Sequence, residues 1–437
     1  MFKRKTEKFK MTRQEKSWVM YDWANSVYAT VMMAAVFPIY FTNVAESAGQ
    51  QGDYWWGIAT SAAMIVIALL APIAGAFCDF HGYKKKIFIL FFALGVGFTF
   101  ASAFFDNWIF LLFGYGISHI GFSGSILVND AFLSDVTEPE RMDTLSGYGF
   151  AYGYIGGSTI PFLMSIALIN FGGNFGIDMT MAVRISVVIA ALWWGLFTIP
   201  FLKNCKQTHS IEMPSAGKVV KSAFIAVGQT AKKIFHNKKI LIFILAYFFY
   251  IDGVGTVINM STSYGTTLGL DATGMILALL VTQIVAVPCS IWFSALSRRF
   301  GSIKMLRAAV CVYLVICITG FIMGFGLEEG FFGVETALVL FWILATMVGS
   351  VQGGIQAISR SYFCQMVPPE NAGEFFGFFD IFGKFAAVLG PLLYAMTVRF
   401  TGRSSLAILS IIALFATALI IMGAGNKYLK ADDKKAV

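Results

Sequence analysis

Trp55-Trp-Gly-Ile-Ala-Thr-Ser-Ala-Ala-Met-Ile-Val-Ile-Ala-Leu-Leu-Ala-Pro-Ile-Ala-Gly-Ala-Phe-Cys78 carries no charged residue, and Asp79-Phe-His-Gly-Tyr-Lys-Lys-Lys86 follows at once. A membrane span needs about 20 mostly apolar residues, so the stretch reads as a helix that crosses a bilayer and stops at a basic edge. Similar runs lie near 13–42, 86–104, 108–133, 143–169 and 179–202, then near 239–265, 271–296, 304–326, 334–361, 373–398 and 404–426. The expectation is an all-α polytopic membrane protein with twelve transmembrane helices. With 57% hydrophobic and 13% charged residues and a mean hydropathy of +0.73, one soluble domain could not enclose the apolar surface of this chain.

Basic residues fall in alternate gaps. They crowd the N-terminus (Lys3, Arg4, Lys5, Lys8, Lys10, Arg13, Lys16), the second gap (Lys84, Lys85, Lys86), the middle gap (Lys203 to Lys239), the eighth gap (Arg298, Arg299, Lys304) and the tail (Lys427, Lys430, Lys434, Lys435). The gaps at 43–54, 105–107, 170–178, 266–274 and 327–335 hold no Lys or Arg, and only Arg399 and Arg403 in the last outer gap break the pattern. By the positive-inside rule the basic gaps and both termini are cytoplasmic, in the cell membrane, which is the inner membrane if the source is bacterial. The net charge of +8 and a pI near 9.0 meet anionic lipid along these edges, so no nucleic-acid partner is expected.

The first apolar run is far longer than a signal-peptide core and has no small-residue cleavage site after it, so it reads as a first span. Cys78, Cys205, Cys289, Cys311, Cys317 and Cys364 lack CxxC spacing, which points to free thiols with no disulfide framework, metal site or cofactor. The partners expected are a small-molecule substrate, the lipid bilayer and protons as a coupling ion, with a monomer as the default assembly.

An internal repeat divides the chain. One offset lays Pro139-Glu140 on Pro369-Glu370, Gly147 on Gly377, Gly153 on Gly383 and Pro161 on Pro391, and the same offset lays Asp22 on Asp252. A slightly smaller one lays Gly82 and Lys85 on Gly301 and Lys304. Two pseudo-symmetric six-helix halves follow, 1–202 and 239–437, of the kind from which major facilitator transporters are built, with the site between them. The intervening 203–238 is a cytoplasmic linker. Its Val220, Phe224, Val227, Ala231 and Ile234 keep an apolar stripe at helical spacing, opposite Lys218, Lys221, Lys232 and Lys233. This fits either a helix on the inner leaflet or a loosely ordered basic linker.

Gly75-Ala-Phe-Cys-Asp79-Phe-His-Gly82-Tyr-Lys84-Lys85 resembles the major facilitator motif between spans 2 and 3, with its first basic residue displaced by Tyr83. Physically, Gly75 permits close helix approach, Gly82 a tight turn with positive φ, and Asp79 a contact with a helix N-terminus or a cation. The resemblance implies a latch on the cytoplasmic side. The copy at Ser294, Arg298, Gly301 and Lys304 lacks the acid, so the stronger latch is expected in the first half. Tyr21-Asp22-Trp23-Ala24-Asn25-Ser26-Val27-Tyr28-Ala29 resembles the hallmark of the autophagy-related vacuolar amino-acid effluxer family, whose bacterial members form an unknown major facilitator family. That resemblance implies efflux of small solutes, amino acids in the vacuolar relatives.

Charged residues at mid-bilayer are costly and usually face a cavity or a partner. Thr12-x-x-Glu15 reads as a capping box that starts the first helix and places Asp22 about 15 Å along it. Asp22 and Asp252 are therefore symmetry-related candidates for a coupling ion, with Asn25 on the same face as Asp22. The competing reading makes Asp22 an anchor for Tyr21 and Trp23 near the inner interface. Asp380 and Lys384 stand at i,i+4, as either an exchangeable or a structural ion pair. His119, Asn129 and Asp130 in the fourth span, and Gln352, Gln356 and Arg360 in the tenth, complete the polar set. Of these, His119, Asn129, Asp130 and Gln356 are assigned to the cavity, although a lone His in a span is more often packed than a proton relay. The fifth span, Gly147 to Pro161, is dense in glycine and resembles the antiporter motif of exporters without its Gly-Pro step, and glycines four apart also serve plain helix packing.

Three classes compete. A secondary transporter fits two divergent halves. A channel would show a repeated filter. An enzyme would show HExxH, GxSxG, Walker A or clustered ligands, and none occurs. A transporter-like sensor, or a carrier of lipid, peptide or drug-like metabolite, remains the alternative to amino-acid export.

Overall fold

The computed structural model describes residues 9–212 and 219–429. The basic residues at 3–8, Lys218 and those at 430–435 lie outside the described residues, as do the side chains of Val220 and Lys221. The helices are α1 (Arg13–Tyr28), α2 (Phe37–Ser47), α3 (Gly52–Asp79), α4 (Lys84–Ser102), α5 (Trp108–Ala131), α6 (Leu133–Val136), α7 (Pro139–Tyr152), α8 (Ile160–Phe171), α9 (Met179–Asn204), α10 (Val219–His236), α11 (Lys238–Thr267), α12 (Ala272–Phe300), α13 (Ser302–Glu328), α14 (Val334–Met366), α15 (Ala372–Thr401), α16 (Ser404–Ala424) and α17 (Asn426–Leu429). Among the described residues, eleven helical stretches are long and apolar enough to cross a membrane, and the pair Arg13–Ala35 and Phe37–Ser47, bent by 40°, makes a twelfth when taken as one span. Large apolar side chains such as Leu69, Leu196 and Ile420 face outward, as a lipid-facing perimeter requires.

Local chemistry sets the helix ends. Thr12 and Glu15 form the expected capping box, with Glu15 Oε2 accepting from the Thr12 amide at 2.7 Å. Asn107, Asp178, Asn237 and Asp271 cap α5, α9, α11 and α12 through their side-chain oxygens. Gly82 turns the chain between α3 and α4 at φ 75°, a conformation that favours glycine.

Two spans are broken. The stretches Ala29–Ala35 and Gly153–Thr159 are π-helical, and Pro38 and Pro161 lie in the first turn of the helices that follow them. A proline supplies no N–H and crowds the preceding turn, so the ladder widens there. Both π segments belong to the first half. In the second half Pro391 stays inside a continuous α15.

The halves meet along two crossings, α3 with α15 and α7 with α12, and α14 also packs on α7. The repeat is visible here. A methyl on Gly377 would collide with Ala71 and Pro72, and one on its mate Gly147 with Ser290 and Ser294, so both glycines sit where helices of opposite halves touch.

The linker stripe is divided between two surfaces: Ile234 is buried and Val227 packs beside Ala76, Phe80 and Ala223, while Phe224 faces outward. In α10 the buried residues are Ala223, Thr230 and Ile234, whereas Phe224 is 56% exposed. The reason is packing on protein: Ala223 fits beside Ala76 and Phe80, and Thr230 bonds Glu374 of α15.

Candidate functional site

Arg360, near the end of α14, organises the centre of the molecule. Its guanidinium carries five N–H groups in a fixed fork, and each meets an acceptor. Nε donates to Ser146 Oγ at 2.9 Å, Nη1 to Asp130 Oδ1 at 3.1 Å and Asp22 Oδ1 at 3.5 Å, and Nη2 to Asp22 Oδ2 at 3.0 Å and the Ser146 carbonyl at 3.3 Å. Trp18 and Phe150 lie 4.6 and 4.7 Å from the guanidinium carbon, a cation–π arrangement that replaces part of the lost hydration. Asp22, Asp130 and Ser146 belong to the first half and Arg360 to the second, so this cluster ties the halves together. Gly149 makes room for it: a side chain there would strike the Asp22 carboxylate and the Arg360 guanidinium.

Beside the cluster a cavity opens between the halves, about 840 Å³ with its mouth included. Asp130 and Phe150 line it from the first half, and Tyr247, Gln356, Arg360, Asp380 and Lys384 from the second. Lys384 Nζ donates to both oxygens of Asp380, at 2.6 and 2.7 Å, one turn apart as expected. Gln356 Nε2 donates to the Gln352 carbonyl. Counting Asp22, which pairs with the cavity-lining Arg360, the group holds three carboxylates and two cations, a formal excess of one negative charge.

The remaining assigned residues lie elsewhere. Asn25 is buried and its Oδ1 is 3.5 Å from Ser26 Oγ, so Asp22 is oriented by Arg360 instead. His119 is buried beside Tyr115, and Asn129 is fully buried with its backbone carbonyl accepting from Trp18 Nε1 at 2.8 Å and its side-chain amide without a partner among the described residues. Neither lines the cavity. Asp252 faces its own half: Oδ1 accepts from the Gly390 amide at 2.9 Å, while Oδ2 has no partner among the described residues. The symmetry-related acids therefore have different surroundings.

Arg360 was legible as a polar residue of its span but not as the hub. The signal was present, because the offset that lays Asp22 on Asp252 also lays Asp130 on Arg360. Residues related by a two-fold axis meet when they lie near it, and here the mates carry opposite charge.

The second-gap motif forms a junction across the halves. Asp79 Oδ1 and Oδ2 accept from the amides of Gly373 and Glu374, at 2.8 and 2.9 Å, so the carboxylate caps α15 of the other half. A side chain on Gly75 would collide with Gly373. Lys84 is buried and pairs with Asp135 at 2.7 Å, while Lys85 is half-buried. The linker seals the loop, with Gln207 Oε1 accepting from the Gly82 amide at 3.0 Å and Ile211 pairing with Phe80.

The other junction also contains an acid, contributed by the opposite partner. Asp143 of α7 accepts from Ser297 and Ser302 at 2.6 and 2.7 Å, beside the Gly301 turn, and from Ser361 and Gln365 at 2.5 and 3.1 Å. In the repeat, Asp143 is the mate of Gly373. The acid missing from the 294–304 loop is thus supplied across the interface, and the first half contributes the acid at both junctions.

Two pseudo-symmetric helical halves that close on a polar cavity define a major facilitator transporter. The chain belongs to the family described as "Vacuole effluxer Atg22 like", which matches residues 11–428. A relative from Bacillus subtilis (strain 168), named "Uncharacterized MFS-type transporter YxiO", is 44% identical over 420 residues, covering 94% of this chain and 95% of its own. "Autophagy-related protein 22" of Cryptococcus neoformans var. neoformans serotype D (strain JEC21) is 25% identical over 296 residues, covering 64% of this chain and 49% of that protein. Among solved structures, a proton:xylose symporter, XylE, aligns over 94% of this chain and 95% of its own at TM-score 0.69 and 12% identity. The human organic anion transporter MFSD10 aligns over 94% and 99% at TM-score 0.68 and 14% identity. These likenesses establish the fold, and the relatives are transporters, not enzymes.

Proposed function

We propose that the chain exports a small zwitterionic solute of the amino-acid class across the cell membrane by alternating access, coupled to protons, with its basic face and both termini in the cytoplasm. The observation that carries this reading is the cavity between the halves, where Asp130, Asp380 and Lys384 present both signs of charge within one space. A zwitterion can place its carboxylate on Lys384 and its ammonium on Asp380 or Asp130, exchanging an internal pair for two intermolecular ones without leaving a charge bare. The family name, a vacuole effluxer, supports carriage of a small solute across the membrane. Asp252, a coupling-ion candidate by sequence symmetry, bonds Gly390 and does not line this cavity, so the ammonium site rests on Asp130 and Asp380.

Lys384→Ala tests it. Binding to the purified protein should weaken for amino acids by about 1–3 kcal/mol relative to their amides or esters, the worth of one charge-assisted hydrogen bond. Equal losses for acid and amide would make Lys384 a structural partner of Asp380 only. Counterflow of radiolabelled amino acids in proteoliposomes separates a carrier from a sensor, since only a carrier shows it.

A further inference from the structure

A second cavity lies wholly within the second half, again about 840 Å³ with its mouth included, lined from α11 through α16 and sharing no residue with the central one. No lining residue is charged. Its walls include Tyr264, Met323, Phe341 and Ala345, and two amides, Gln283 and Gln352. Tyr264 donates its hydroxyl proton to the Gly320 carbonyl at 2.8 Å, so that group is satisfied by the protein. The amides are not: Gln283 Oε1 and Gln352 Nε2 are buried with no partner among the described residues. Gln352 is 97% buried, from its 3% exposure. Orphaned amide atoms in an apolar enclosure are uncommon, because each forfeits its hydrogen bond to water without replacement. Between them the unpaired atoms offer an acceptor, Gln283 Oε1, and a donor, Gln352 Nε2.

We infer that this chamber is a binding site for an uncharged, largely apolar molecule bearing one hydroxyl or amide, which would sit between Gln283 and Gln352 with its hydrocarbon among the aromatic and thioether side chains. An ionised ligand has no counter-charge in these walls. A pure hydrocarbon would leave both amides unpaired. The site is distinct from the charged cavity, but Gln356 of that cavity bonds the backbone carbonyl of Gln352 at 3.1 Å, so an occupant is felt one helical turn from the central site. The inference stands independently of the proposed substrate.

The test uses the full chain in phosphatidylcholine nanodiscs with a diazirine-bearing decanol, mapping the label by peptide mass spectrometry. Label is expected on α11–α14 peptides that face the chamber, displaced by decanol about fivefold more effectively than by decane or decanoate, as one or two neutral hydrogen bonds imply. Gln352→Leu keeps the volume and should abolish that preference. Ala345→Trp fills the space and should remove the label while the thermal unfolding midpoint holds. Organic extraction of the purified protein distinguishes the source: a co-purifying neutral lipid means that the bilayer supplies the occupant, and an empty extract with intact decanol labelling means a free solute. Label confined to lipid-facing surfaces, or equal competition by decanol and decane in the unaltered protein, would overturn the inference.

Discussion

At the scale of single residues the centre of this transporter is defined by valence. Arg360 has five donors and five acceptors within 3.5 Å, so it has none left for a substrate in this arrangement, and Lys384 is the cation with room for one. The arrangement depends on Gly149, whose missing side chain is the space occupied by the ion pair. Gly149→Ala should therefore cost about 1–3 kcal/mol of stability in this closed arrangement, the usual price of overpacking, visible as a lowered thermal midpoint and lost transport with normal membrane insertion. An unaffected Gly149→Ala protein would mean that Asp22 and Arg360 do not need this approach. Asp22, Asp130, Asp380 and Lys384 were readable from the sequence, because an ionisable residue inside an apolar run is conspicuous. What each one touches was not, since that depends on which helices cross and how each is rotated. His119 and Asn129 were equally conspicuous, and both are buried outside the cavity.

At the scale of elements, the closed face is held by two junctions that use one acid each but in opposite sense. Asp79 ends α3 and receives backbone amides from the start of α15, whereas Asp143 lies within α7 and receives hydroxyls from the 294–304 loop region and from α14. Span positions, capping box and repeat were all legible, because periodic apolarity and helix-start chemistry are local properties. The π segments and the protein contacts of Ala223 and Thr230 in α10 were not, because they answer to a proline one turn ahead and to the surfaces of α3 and α15. If both junctions hold the face shut, Asp79→Asn and Asp143→Asn should each shift the balance toward opening by about 1 kcal/mol, roughly a fivefold change in population. Cysteines placed in the central cavity and labelled from the basic side would report it, with the double variant additive because the sites lie on separate crossings. A response to Asp79→Asn alone would restore the one-sided latch that the sequence suggested.

At the scale of the whole molecule, the hydrogen bonds that join the halves among the described residues gather toward the basic face, at Asp79, at Asp143 and around Arg360. Alternating access by rocking requires that these part while contacts form on the other side. Asp79 and Asp143 can then turn to water at the loops, but Asp22 sits deeper and loses its guanidinium. A carboxylate left uncompensated at that depth is costly, so it takes up either a proton or the ammonium of a solute, and the cycle becomes tied to whichever it takes. Asp252 is different, since its bonded oxygen is held by Gly390 within one half and rocking does not disturb it. Asp22→Asn should thus abolish pH-gradient-driven accumulation in proteoliposomes while sparing solute exchange. Asp252→Asn should keep the gradient response and show only a changed thermal midpoint. Gradient-driven uptake that survives Asp22→Asn, or that fails in Asp252→Asn with exchange intact, would move the coupling away from the half interface and into the second bundle.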